Sequence, residues 1–305
     1  MMKLKFWGVR GSIPAPGPDT VRYGGNTSCV SIEDKDETLI FDGGSGLREC
    51  GIEIMKNRQF GAKGPYPLTM HLFFSHVHWD HIQGVPFFKP LFIQGNNVHM
   101  YGEKKVRTCL EDTLKGQQQY PNFPISIEEI GVTGACMDFT DLFPGQQTTI
   151  GDMVVTCTKL SHPDGVFSYN ILHLISGKSI TYATDTEHRN VLDPRLLKIA
   201  KNSDVLIYDA QYTPEEYEGI GGIPRFDWGH STYEWGVKTA IAAGVKRLIL
   251  FHHEPEHTDD MIEEIEAKAR NYKNEKATLC DDEAAKIAEN LTIDAAFEGM
   301  KINLN

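Results

Sequence analysis

Residues 71 to 81 read His-Leu-Phe-Phe-Ser-His-Val-His-Trp-Asp-His: an apolar strand that ends at Ser75, then four ligand-type side chains within six residues. In an extended segment alternate side chains share a face, so His76 and His78 can grip one ion together. Asp80 and His81 fall where the chain turns toward a helix, within reach of a second ion beside the first. Neutral imidazole and carboxylate are ligands for zinc and similar divalent ions. The plain alternative is a polar loop of solvated histidines, and an H-x-H-x-D-H run directly behind a hydrophobic strand argues against it. Three more candidates stand just past strand ends. His162 follows 154–160, Asp185 follows 180–184 and His252 follows 248–251. Singly, such a residue reads as a turn or a cap; together the seven can complete two coordination spheres.

The elements that must position these residues are legible as short runs rich in Val, Ile, Phe and Thr, bounded by Gly, Asp, Asn or Pro. Strands are expected at 4–7, 28–33, 38–41, 70–75, 97–101, 153–160, 168–174, 179–184, 205–208 and 247–251. Helical patterns follow His81 and cover about 106–115, 193–200 and 259–271. The best-marked helix starts at Ser231, where Glu234 three residues on completes a capping box and Gly244 marks the stop. Early strands joined by tight turns, then strands alternating with helices, point to an α/β protein with packed sheets and outer helices. We expect one domain over 1–305, with a loop or lid at about 116–144 and a helical extension at about 258–305. Gly43-Gly44-Ser45-Gly46 lacks the Gly-Lys-Ser/Thr of a P-loop and reads as a tight turn.

The 305 residues carry 30 Lys+Arg against 42 Asp+Glu, a net charge of −12. That balance argues against broad nucleic-acid binding, which needs a basic footprint. No apolar run approaches the ~20 residues of a membrane span. The opening residues reach Gly8 without the apolar stretch of a signal peptide. Cys29, Cys50, Cys109, Cys136, Cys157 and Cys280 are scattered singly, which fits reduced thiols in a cytoplasmic protein rather than a disulfide framework or a cysteine zinc site.

With His76, His78, Asp80 and His81 followed by His162, Asp185 and His252, the chain resembles the metallo-β-lactamase-fold hydrolases from its first strand to about Pro255. The resemblance implies a four-layer αββα sandwich. It also implies two divalent ions, zinc first and manganese or iron as alternatives. His76, His78 and His162 would hold one, Asp80, His81 and His252 the other, and Asp185 would bridge them. His253 and His257 compete with His252 for its place, but His252 directly ends the strand. The run Tyr208-Asp209-Ala210-Gln211, with His230-Ser231-Thr232 further on, resembles the paired acid and His-Ser-Thr elements of ribonuclease Z and of cyclic-nucleotide and cyclic-phosphate phosphodiesterases. Ribonuclease Z has Glu where this chain has Asp209. Trp7-Gly8-Val9-Arg10-Gly11-Ser12 and Tyr23-Gly24-Gly25-Asn26-Thr27-Ser28 resemble the phosphodiesterase-like branch.

The resemblance implies hydrolysis of a small anionic phosphodiester, foremost a cyclic nucleotide, by hydroxide attack on phosphorus. Asp80 would orient the nucleophile, and His230, aimed by Asp209, would protonate the leaving alkoxide. Lys104, Lys105 and Arg107 form the only basic cluster near the expected loop, so extended RNA is not the expected partner. Phe123, Phe167, Tyr169 and Trp228 are candidates to stack on a base, and homodimerisation is common among such relatives. The alternatives are a thioester or lactone hydrolase, a tRNA 3′-processing endoribonuclease, and a metal-bound ligand sensor without turnover.

Overall fold

A computed structural model describes residues 1–60, 67–105, 108–278 and 282–305. It divides into two compact units. The first comprises Met1–Gly8, Asn26–Phe143 and Gly299–Leu304, and the second Val9–Gly25, Pro144–Glu298 and Asn305.

The first unit holds β1 (Met2–Gly8), β2 (Cys29–Asp34), β3 (Glu37–Phe41), β4 (Thr69–Phe73), β5 (Asn97–Glu103), β6 (Cys136–Leu142) and β14 (Lys301–Leu304). They form one sheet in the order β14-β1-β2-β3-β4-β5-β6, antiparallel through β3 and parallel from β3 to β6. Parallel neighbours require crossovers. Here α1 (Gly46–Phe60), the single turn α2 (Trp79–Ile82), two 3-10 segments, α3 (Leu110–Gln117) and α4 (Ile127–Thr133) supply them. Met70 and Leu72 of β4 pack with Leu47 and Cys50 of α1 and with Phe88 in one buried cluster. The opposite face of the strands carries a stack of Phe41, Phe73 and Tyr101.

The second unit repeats the arrangement with β7 (Gln147–Ile150), β8 (Met153–Leu160), β9 (Val166–His173), β10 (Ser179–Ala183), β11 (Val205–Asp209), β12 (Arg247–Phe251) and β13 (Thr292–Ala295), ordered β13-β12-β11-β10-β9-β8-β7. β7 to β10 are antiparallel and β10 to β13 parallel. Its crossovers are α5 (Pro194–Ile199), α6 (Pro214–Glu218), α7 (Tyr233–Ala243), α8 (Asp259–Ala277) and α9 (Asp282–Asn290). Leu206, Tyr208, Leu248 and Leu250 pack with Val237, Ala240 and Ile265 from the helices, each such side chain worth ~1.5–3 kcal/mol when buried.

Several expectations are corrected. The stretch 116–144 is not a long loop: Ser126 and Glu129 form a capping box that starts α4, and β6 follows at the sheet edge. The segment 258–305 is not wholly helical, because β13 and β14 follow α8 and α9. The helix expected at Ser231 is capped by Thr232 and starts at Tyr233, without a side-chain cap bond. Ser231 Oγ is taken instead by His188 Nδ1 at 3.0 Å and the Tyr208 hydroxyl at 2.9 Å. Gly244 does end that helix, in the left-handed conformation. The helix expected from residue 106 begins at Leu110; Val106, Arg107 and Cys280 lie outside the described residues. The other five cysteines are free thiols. No helix among the described residues is long and apolar enough to cross a membrane.

Candidate metal centre

In open α/β sheets functional groups gather at the carboxyl ends of parallel strands, and both units follow that rule. In the first, β3 delivers Asp42 and β4 delivers Ser75 and His76. Asp42 Oδ1 accepts the Ser75 main-chain N–H at 2.7 Å, and Oδ2 accepts the Ser75 hydroxyl and His81 Nδ1–H, each at 2.8 Å. Since the Ser75 hydroxyl donates to Asp42, its oxygen accepts from His76 Nδ1 at 3.1 Å. A carboxylate can only accept, so the tautomers follow: the proton sits on Nδ1 of both His76 and His81, and Nε2 carries the lone pair a cation needs. The His76 ring lies 4.4 Å from that of His78 and 4.3 Å from that of His81. His81 Nε2 stands 3.2 Å from Asp80 Oδ2. The four sequence-predicted residues of this unit therefore converge; His78 is exposed and the other three are buried.

The turn Gly43-Gly44 sits beneath them. Gly43 N–H donates to His81 O at 2.7 Å. A Cβ on Gly44 would come within 2.3 Å of Asp80 O and 2.5 Å of Thr27 Oγ1. No other residue type lets the chain pass so close to the ligand segment.

In the second unit the parallel strands β10, β11 and β12 deliver Asp185, Asp209 and His252, and the antiparallel β8 delivers His162. His162 Nδ1 donates to Gly229 O at 2.9 Å and His252 Nδ1 to Gln211 Oε1 at 2.9 Å. The Gln211 amide is oriented by its own donation to Glu254 Oε2 at 2.6 Å. Here too Nε2 is left as the ligand atom, and that of His252 lies 3.2 Å from Asp185 Oδ1. Gly11 packs against this imidazole so tightly that a Cβ there would stand 2.5 Å from its Nδ1. Asp42, Asp185 and His252 have φ of 60°, 51° and 64°. That left-handed backbone costs a non-glycine residue on the order of 1 kcal/mol and persists where contacts over-determine it, typically at functional sites.

His230 Nδ1 donates to Asp209 Oδ2 at 2.8 Å. Asp209 Oδ1 is occupied by the main-chain N–H groups of Gln211 and Ser231 at 3.0 and 3.3 Å, so the whole carboxylate is fixed. The His230 ring is stacked 5.0 Å from His252 and edge-on 5.3 Å from His162. Potential ligand atoms of His162, Asp185 and His230 lie within 4.8 Å of one another, as do those of Asp209, His230 and His252. His253 and His257 stand apart from the cluster. His253 Nε2 bonds Ala296 O at 2.9 Å, with burial lowering its pKa to about 3, and His257 Nε2 pairs with Glu216 at 2.8 Å.

The donor set fits divalent ions: buried imidazoles with Nδ1 committed to an acceptor, interleaved with carboxylates. Asp42 and Gln211, which hold His81 and His252, were not among the predicted site residues. The available signals were an acid at the end of a strand, before Gly43-Gly44, and the Gln that follows Tyr208-Asp209-Ala210. Of the aromatic candidates, Phe167 and Tyr169 are fully buried and Phe123 is half-buried against Phe87. Trp228 is 49% exposed.

Residues 47–253 match the family described as the β-lactamase superfamily domain, and the chain belongs to that family of metallo-β-lactamase-fold hydrolases. The fold is shared along the whole chain with YhfI of Bacillus subtilis, with a TM-score of 0.66, 18% identity, and coverage of 99% of this chain and 98% of that one. A diphosphatase of the PhnP family has a TM-score of 0.63 at 15% identity, covering 100% of this chain and 98% of that one. Ribonuclease Z of Prochlorococcus marinus is 22% identical over 305 residues, covering 86% of this chain and 91% of the relative.

Proposed function

We propose that the protein is a dinuclear metal-dependent phosphodiesterase that hydrolyses a small anionic phosphodiester, most directly a cyclic nucleotide, and works in the cytoplasm as a homodimer. His76, His78 and His162 would hold one ion and Asp80, His81 and His252 the other, with Asp185 available to either; zinc would suit the imidazole-rich set best. Such ions supply an activated water near neutral pH and stabilise charge on phosphoryl oxygens. Asp80 orients the attacking oxygen. His230 delivers a proton to the departing alkoxide from Nε2, while Asp209 holds Nδ1 and stabilises the imidazolium before the transfer.

The observation that carries this reading is the buried Asp209–His230 pair beside His162 and His252. A proton donor is what an alkoxide leaving group requires and what a thioester, whose thiolate leaves unaided, does not. Hydrolysis at phosphorus also recurs in the names of a ribonuclease and a diphosphatase among the similar proteins. The ribonuclease similarity favours a second reading, pre-tRNA processing. Against it, Lys104 is already paired with Asp141 at 2.5 Å and the chain carries −12, whereas RNA binding leans on free Lys and Arg.

His230→Ala should slow hydrolysis of 3′,5′-cyclic nucleotides ~10²–10⁴-fold, yet cost far less with bis-p-nitrophenyl phosphate, whose phenolate leaves without a proton. Equal losses on both substrates would remove the acid role. The same panel, with pre-tRNA, a thioester and a lactone added and metal content measured by mass spectrometry, separates the competing readings.

A further inference from the structure

Residues 219–228, which follow α6 and precede Gly229, serve neither the ligand set nor the acid, yet they expose Ile220, Ile223, Phe226 and Trp228. The segment is held firmly. Glu187, 4% exposed, accepts the Tyr217 hydroxyl and the Asp227 N–H, each at 2.8 Å. Arg189 Nη2 pairs with Asp227 Oδ1 at 3.1 Å. At its end Gly229, with φ +93°, approaches His162 so closely that a Cβ would stand 2.1 Å from Nδ1. The main chain of Trp228 is thereby held two residues from the proposed acid, its N–H donating to Arg225 O at 3.3 Å.

Arg225 lies over that indole, Cζ 4.4 Å from the ring centroid, and 5.7 Å from the ring of Tyr212. Tyr212 in turn meets His230 edge-on at 5.8 Å. Arg22, Arg48, Arg189, Arg195, Arg247 and Arg270 are all ion-paired, and the buried Arg10 donates to main-chain carbonyls. Among the described residues Arg225 makes no ion pair. A guanidinium without a carboxylate, in a chain of net charge −12 and beside a His/Asp centre, is a place for an anion. Its fork suits phosphoryl oxygens, and its plane and the indole suit a stacked base.

We infer that Arg225 and Trp228 form the recognition platform of the site, so that its substrate is a nucleotide: the base stacks on Trp228 and Arg225 binds a phosphoryl oxygen. The inference rests on the phosphodiesterase reading, and binding tests it apart from turnover.

Metal-loaded protein is titrated with AMP, GMP, CMP, UMP and ribose 5-phosphate, following tryptophan fluorescence and heat. At least one nucleotide should quench the fluorescence, and ribose 5-phosphate should bind without quenching. Trp228→Leu should abolish the quench and weaken nucleotide binding about tenfold, the scale of one base–aromatic stack, leaving ribose 5-phosphate unaffected. Trp228→Phe should retain most of the affinity, which separates stacking from any loss of fold. Arg225→Met should weaken nucleotide and ribose 5-phosphate alike, with partial recovery in Arg225→Lys. No quench by any of the four nucleotides, or wild-type affinity in Trp228→Leu and Arg225→Met, overturns the platform. Wild-type binding without turnover of any phosphodiester leaves the platform standing and refutes the phosphodiesterase reading.

Discussion

Asp42 shows what a ligand motif needs beyond its ligands. It occupies both the Ser75 main chain and the His81 ring, and through the Ser75 hydroxyl it also sets His76. Asp42→Asn keeps the shape but removes the charge and offers an N–H where an acceptor is needed. We expect a fold close to wild type and a metal affinity ~10–100-fold lower, the usual cost of losing a partner behind a metal-binding histidine. Competition with a chromogenic chelator measures it, and wild-type affinity would count against this role. The ligand-type residues were legible because four of them are packed behind one strand and three more stand just past other strand ends. Asp42 and Gln211 were not, since nothing local ties an acid at residue 42 to an imidazole at 81, or an amide at 211 to one at 252. Chain folding alone creates those pairs.

The ten strands read from apolar patterning are the ten interior strands of the two sheets. The four that escaped, β6, β7, β13 and β14, are the four edges. An edge strand has a neighbour on one side only and tolerates polar residues, as Asp138 and Asp141 in β6 and Gln147 to Thr149 in β7 illustrate. Periodicity of buried positions therefore fades where the sheet stops. The helix α1 escaped for a related reason: Gly46 and Gly51 interrupt its pattern, and both are demanded by close packing, against Trp7 and against Phe88 and Pro90. The glycine turn before it carries a prediction. Gly44→Ala must push the Asp80 main chain or residues 27–28 aside, so apo stability should fall by ~1–3 kcal/mol and bound metal should drop below stoichiometry. Urea unfolding of the apo form and metal analysis test this, and a fully loaded, equally stable variant would show that the turn yields freely.

At the scale of the whole molecule, buried neutral histidines make stability depend on pH. Burial, then the neighbouring His99, lowers the pKa of His71 to about 4. Burial, then Lys238, does the same for His188, which is stacked on Trp235. Both groups titrate near 6.5 once unfolded. The unfolded chain therefore takes up protons first as pH falls: their contribution is complete above about 6.5 and is lost progressively toward 4. Urea midpoints of the metal-free protein should decline across that window, and His188→Phe, which keeps a ring against Trp235, should flatten the decline. An unchanged slope in that variant would place the acid sensitivity elsewhere.

The strand β14 has a consequence for how the chain is made. It pairs with β1 along Met2↔Leu304 to Lys5↔Lys301, yet it leaves the ribosome roughly 160 residues after β6. At ~5–20 residues per second, the first sheet waits on the order of ten seconds with the β1 edge uncovered. During that interval the nascent chain presents a bare template for strand addition.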